Sequence, residues 1–288
     1  MKQIKPDKVA ISAFRGEFSP ECFHTVLENI YKTYTRAELI YPDPVEFPRR
    51  YADVRDREIV ALIASSLAYG RVQQIHNSVS KVLTPMGDKP ASFIRSTSEK
   101  ELERLYSDFR HRFTSGSELV QFLLGVQKIL KRYLSLEECI IACLSSNSSI
   151  FDGLTAFADS IKKAAGGATS LIASPADGSA CKRYFLFLKW MIRHDAVDPG
   201  GWSAVSSADL YFPIDTHMHK IARSLHFTER KQADLKTVIE VTRAFQKIAP
   251  HDPTRYDFAL TRFGIRSELH IAELIKQCND GVSSSIRE

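Results

Sequence analysis

Leu210-Tyr-Phe-Pro-Ile-Asp-Thr-His-Met-His-Lys-Ile-Ala-Arg-Ser-Leu225 is the stretch whose reading decides the fold. Pro213 ends whatever precedes it, because the residue before a proline is pushed away from helical angles. Asp215 then stands where a helix cap stands. After it Met218, Ile221, Ala222 and Leu225 recur at helical spacing and form one apolar stripe, while Thr216, Lys220 and Arg223 fall on another side. A carboxylate at that position accepts bonds from free backbone N–H groups and feels the positive helix end. Both effects favour the charged form, so Asp215 is expected to be ionised at neutral pH.

The same period runs outward in both directions. Towards the N-terminus it marks helices within 20–40, from Asp56 to Gly70, from Val72 to Leu83, two short ones in 89–113, then 117–133, 135–144 and 151–164. Towards the C-terminus it marks 181–193, a stretch from Leu235 to Phe245, one opening at His251 and closing at Gly264, and a last one from Glu268 to Gln277. No sustained alternation and no Asn-Gly or Asp-Gly hairpin signal interrupts it. The expected fold is therefore all-α. Residues 164–180 are small and rich in glycine and serine. They divide the chain into a first helical lobe (1–165), a flexible linker (166–180) and a second lobe (181–288), with Ser179 as the cap of the helix that follows.

Composition is that of an ordinary globular protein, with 288 residues and 44% hydrophobic content. A net charge of +5 permits a nucleic-acid partner without demanding one. The five cysteines are odd in number and scattered, which fits a reducing cytoplasm, and they form no cluster for an iron–sulfur site. Neither a signal-peptide core nor a membrane-length apolar run is present, so a cytoplasmic, membrane-free monomer is expected. No cofactor and no metal are expected.

The helix Cys181-Lys-Arg-Tyr-Phe-Leu-Phe-Leu-Lys-Trp-Met-Ile-Arg193 is apolar enough to be buried, yet Lys182, Lys189 and Arg193 run along one side of it. A lysine drawn into an apolar site loses its proton more easily, and the free amine can form a Schiff base. The alternative is that these cations snorkel to the surface. Asp195 to Trp202 reads as a turn around Pro199-Gly-Gly201, and the two tryptophans, Trp190 and Trp202, flank the approach to Asp215.

Pro213-Ile-Asp-Thr-His217, followed by a helix ending at Arg223-Ser-Leu and then by Tyr256-Asp-Phe-Ala-Leu-Thr-Arg-Phe-Gly264, resembles the C-terminal half of the helix-hairpin-helix DNA glycosylase superfamily. The long separation of Lys182 from Asp215 is similar to that in the archaeal 8-oxoguanine glycosylase branch. From Asp43 to about Arg266 the chain looks like a bacterial uncharacterised family, a domain of unknown function, allied to that superfamily. Asp56-Arg-Glu, Ala68-Tyr-Gly-Arg71, Cys181-Lys-Arg183, Lys189-Trp-Met-Ile-Arg193 and Asp252-Pro-Thr-Arg-Tyr-Asp257 carry the likeness.

The resemblance implies a two-lobed helical fold with a cleft, and a base-excision glycosylase, with lyase activity, acting on duplex DNA that carries a damaged base. It implies Asp215 as the catalytic carboxylate and Lys182 as the Schiff-base amine. Tyr69, Lys189, Trp190, Asp198, Trp202 and His217 are candidates for the substrate pocket. Arg71, Arg183, Arg193, Lys220, Arg223 and Arg266 are candidates for DNA contacts. No Leu-Pro-Gly-x-Gly loop precedes Asp215, which leaves Asp198-Pro-Gly-Gly201 as the candidate grip on phosphate. Two other readings stay open. One is a non-catalytic nucleic-acid binder on the same fold. The other is a metal-dependent phosphohydrolase using His194-Asp195, His251-Asp252, His217 and His219.

Overall fold

A computed structural model describes residues 20–147, 149–167, 169–265, 269 and 271–285. Its helices are α1 (Pro20–Tyr34), α2 (Glu46–Arg49), α3 (Val54–Ser66), α4 (Val72–Leu83), α5 (Pro90–Ser96), α6 (Glu99–Tyr106) and α7 (Gly116–Arg132). They continue with α8 (Leu136–Ser145), α9 (Ile150–Ala164), α10 (Lys182–Ile192), α11 (Thr216–Ser224), α12 (Leu235–Ile248), α13 (Asp257–Ile265) and α14 (Ile271–Ser285). The strands described are a two-residue pair, β1 (Arg110–His111) and β2 (Thr114–Ser115), between α6 and α7. The fold is all-α, as the period of the apolar residues predicts.

Short polar side chains start seven of these fourteen helices. Asp53, Ser98, Ser115, Ser135, Ser149, Asp215 and Asp234 each accept backbone N–H bonds at the first turn of the helix they precede. Each such cap is worth about 1 kcal/mol. Helix boundaries differ from the sequence reading where chain geometry overrides the pattern. The third helix opens after Asp53 rather than at Asp56, and it ends at Ser66, four residues before Gly70. The stretch from His251 is not yet helical; Pro253 lies in a run of turns and α13 begins at Asp257. Phe109 to Phe113, read as a helix end, instead turns into the β1–β2 hairpin, with Arg112 in the left-handed region at φ 54°.

Packing crosses the expected divide at 166–180. Helix α10 lies on α3, and α1 lies on α12, α13 and α14. Glu28 on α1 accepts from Arg255 Nε at 2.6 Å and from Tyr256 Oη at 2.9 Å, just before α13. The segment read as a flexible linker is itself packed: Leu171, Ile172, Ser174 and Pro175 are buried. Ser174 and Asp177 cap each other's backbone there. Ser179 does not cap α10. That place is taken by Cys181 in the left-handed region at φ 45°, with Ser179 Oγ 3.2 Å from its Sγ. Among the described residues no helix is long and apolar enough to cross a membrane.

One buried acid joins three parts of the fold. Glu58 on α3 accepts from the N–H of Leu136 at 2.7 Å, from the N–H of Glu137 at 3.3 Å and from Trp202 Nε1 at 3.0 Å. Burial outweighs those three bonds and pushes its carboxyl up to about 7. For an acid raised on folding, the stabilisation is complete below its unfolded value and is lost as pH rises through the folded one. Between pH 4.5 and 7 the wild type should therefore lose up to about 3 kcal/mol of stability relative to Glu58→Gln, seen by urea unfolding at stepped pH. A stability difference between the two proteins that does not vary with pH contradicts the raised carboxyl.

Candidate active site

The start of α11 and the start of α10 meet at the wall of a cavity of about 1220 Å³. Asp215 has extended backbone angles, and its Oδ1 accepts from the N–H of His217 at 2.9 Å and of Met218 at 2.8 Å. This is the cap expected from the sequence. Its other oxygen, Oδ2, lies 3.3 Å from Nζ of Lys182, the first residue of α10. Burial works to raise the Asp215 carboxyl, but the charge of Lys182 and the Met218 N–H outweigh it and hold it below its ordinary value. The Lys182 side chain is 33% exposed, so its ammonium end stays in reach of anything entering the cavity. Gly264 on α13 lets α11 come close: a Cβ there would stand 2.7 Å from His217 Cβ. It lies inside α13 and does not close it.

The second lysine of α10 has a different setting. Lys189 donates to Asp198 Oδ1 at 3.0 Å and stands 3.3 Å from Asp257 Oδ2, with its side chain 2% exposed. Arg193, one turn on, is paired with Asp198, with Asp195 at 2.9 Å and with Asp252 at 2.9 Å. Burial disfavours the Lys189 ammonium, but Asp198 and Asp257 more than compensate and raise its pKa. Lys189 is thus a locked cation. Asp195 is brought down to about 2, burial being outweighed by Arg193 and by backbone N–H bonds. Asp257 goes the other way: burial lifts it to about 6, with Lys189 only partly offsetting and Asp198 and Asp215 adding to the rise.

Of the residues proposed from sequence, Tyr69, Arg71, Lys182, Lys189, Trp190, Asp215 and His217 all line the cavity. Asp198 and Trp202 do not. Asp198 is fully buried between Lys189 and Arg193, and Trp202 packs on Phe157 and Phe187 with its N–H spent on Glu58. Both are corrected from substrate residues to interior ones. Arg193 is likewise buried in its carboxylates rather than offered to phosphate. Arg183 donates to the carbonyls of Ser66 and Ser170 and lies 4.8 Å over the Tyr69 ring, so its guanidinium is engaged within the fold and is not a free cation. Lys220 and Arg223 are exposed on α11. Arg266 lies outside the described residues.

The Asp198–Gly201 turn has its polar groups turned inward. Gly200 N–H donates to Trp190 O at 3.0 Å, and Arg57 holds the carbonyls of Pro199 and Gly200. That leaves little of it for a phosphate. The His-Asp pairs are also engaged elsewhere. His194 Nδ1 donates to Pro199 O at 2.9 Å, His219 Nε2 donates to Arg230 O at 2.9 Å, and Asp195 and Asp252 hold Arg193. Among the described residues no group of three or more His, Cys, Asp or Glu side chains could hold a metal ion.

Sequence reasoning missed three features of this site. Asp257 and Arg262 face the cavity from α13, and Arg262 is tied to Asp43 at 2.8 Å. The β1–β2 hairpin brings Arg112 to the cavity and stacks Phe113 on Tyr69, ring centres 5.0 Å apart and 21° from parallel. Gly70 makes room for it: its φ is +99°, and a Cβ there would stand 2.9 Å from Arg112 Cδ. The signal for Asp257 and Arg262 was present, since both lie in segments that carry the family likeness.

A family model described as a protein of unknown function, DUF2400, matches the chain over residues 43–266. No curated protein and no solved structure matches it.

The two lysines should respond to the same substitution by very different amounts. Lys189→Gln leaves buried carboxylates without their cation and should cost about 3–5 kcal/mol of stability in urea unfolding. Lys182→Gln removes a partly exposed pair and should cost about 1 kcal/mol or less. Equal losses would contradict the division between a structural and an accessible lysine.

Proposed function

We propose that this chain, which belongs to the DUF2400 family of proteins of unknown function, is a DNA base-excision glycosylase with lyase activity. The observation that carries the reading is the Lys182–Asp215 pair, 3.3 Å apart, at the wall of a cavity wide enough for a nucleobase. A capped, ionised carboxylate beside a reachable amine suits the breaking of an N-glycosidic bond, whose transition state is positive at the sugar.

Such an enzyme takes its target base out of the stack and encloses it. Asp215 then faces the charge that develops at C1′, a carboxylate already oriented by two backbone N–H groups. The Lys182 amine bonds to C1′ as the base departs with the glycosidic electron pair. Loss of one of the two protons on that nitrogen lets its lone pair expel O4′, which takes a proton, and the sugar ring opens to a protonated Schiff base. Removal of a C2′ proton then expels the 3′ phosphate.

The rim supports a nucleic-acid ligand. Phe113 and Tyr41 are 63% and 62% exposed, large values for aromatic rings, and each sits beside a cavity-lining residue, Tyr69 and Pro42. Bases stack on such rings regardless of sequence. Arg71 and Arg112 are exposed at the same rim, and Lys220 and Arg223 on α11 add cations that suit phosphates.

The test is a panel of duplexes carrying damaged bases, incubated with protein and borohydride. The wild type should yield a covalent adduct and Lys182→Gln none. Asp215→Asn keeps the cap but loses the charge, so base release should fall at least about a hundredfold with stability lower by no more than about 1 kcal/mol. Full base release by Asp215→Asn, or trapping that survives in Lys182→Gln, contradicts the assignment.

A further inference from the structure

Asp257 is a carboxyl without a full set of partners at the floor of the proposed site. It is the first residue of α13, and its side chain is 6% exposed. Its one close partner among the described residues is Lys189 Nζ, at 3.3 Å from Oδ2. A buried carboxylate that only holds a cation in place normally accepts several hydrogen bonds as well, as Asp195 does from the N–H groups of Val197 and Asp198. Among the described residues Asp257 accepts none, yet it lines the cavity together with Lys182 and Asp215.

The charged groups around it explain why it differs from Asp215. Helix α10 presents Lys182 and Lys189; the turn after it presents Asp198; α11 presents Asp215 and His217; α13 itself carries Arg262, which is tied to Asp43. Glu28 on α1 is paired with Arg255 instead. Lys189 is shared between Asp257 and Asp198, so its charge is divided, whereas Asp215 has Lys182 and two N–H groups. Two carboxyls in one cavity are thus driven apart, one held ionised and the other lifted to about 6, close to neutrality. That division is the usual mark of one carboxyl that stabilises charge and another that moves protons.

Resting on the reading of Lys182 as the amine, we infer that Asp257 is the proton-transfer carboxyl of the site. Across the cavity that both residues line, Asp257 takes the proton that the Lys182 ammonium must lose. The freed lone pair forms the N–C1′ bond. The glycosidic bond breaks, its electron pair leaves with the base, and Asp257 returns the proton to the departing ring nitrogen. No outside acid, base or oxidant is needed for the balance. Asp215 keeps its charge throughout.

The probe is a duplex with a preformed abasic site, which presents the sugar aldehyde without a base to expel, so it reads the amine step alone. With cyanoborohydride present, the wild-type trapping rate should rise about tenfold per pH unit up to about 6 and then level off. Asp257→Asn should trap at least about a hundredfold more slowly, with no inflection near pH 6, while keeping an oxygen towards Lys189. Asp257→Glu should recover part of the rate with a displaced inflection, which also serves if the asparagine variant does not fold. A wild-type rate and profile in either variant overturns the role of Asp257 alone. Failure of the wild type to trap at all overturns the lyase reading, and this inference with it.

Discussion

Lys189, shut in between Asp198 and Asp257, is the constraint on which the rest of the site depends. Helix α10 packs on α3 and is buried through Tyr184, Phe185, Phe187, Leu188 and Trp190, so a cation on its inner side is almost wholly withdrawn from water. An unpaired charge there would cost several kcal/mol, so carboxylates must be brought to it. One comes from the turn after α10 and one from the start of α13, which fixes both elements against the helix. Arg193 draws in Asp195 and Asp252 in the same way. Two cations therefore face four carboxyls, and the cluster is short of positive charge. Asp257, at the cavity end of the cluster, is the member on which that shortage is felt near neutral pH.

With α13 placed, α11 follows. Gly264 admits the His217 side chain, so the two helices approach until Asp215 stands opposite Lys182. The result is one helix with two lysines in contrasting settings. Lys189 is enclosed, doubly paired and pushed towards the protonated form. Lys182, in the first turn, has one carboxylate and an open side. The enclosed pair holds the architecture and the open pair has the freedom that chemistry requires.

Much of this was legible in the sequence. Pro213 followed by Asp215 and an apolar stripe is enough to place a capped helix, because capping and periodicity are local properties of the chain. The alignment of Lys182, Lys189 and Arg193 on one side of α10 was equally local. What those cations would meet was not. Asp252 and Asp257 lie far along the chain from Arg193 and Lys189, and nothing in their neighbours' spacing shows that four aspartates converge. Hence Asp198 and Arg193 read as site residues but are interior ones. The short hairpin that carries Phe113 escaped notice because Arg112, rather than a glycine, takes the left-handed position in its turn. The cap of α10 was misassigned to Ser179 in the same manner, since the left-handed φ of Cys181 replaces a side-chain cap.

The central claim is that the accessible lysine at the start of α10 is the nucleophile, and the enclosed one is not. Digesting the borohydride-reduced protein–DNA adduct and locating the modified residue by mass spectrometry tests that claim most directly. The account predicts a single nucleoside-derived mass addition on Lys182, with Lys189 unmodified. Modification at Lys189, at Lys220 or at any other lysine would contradict it.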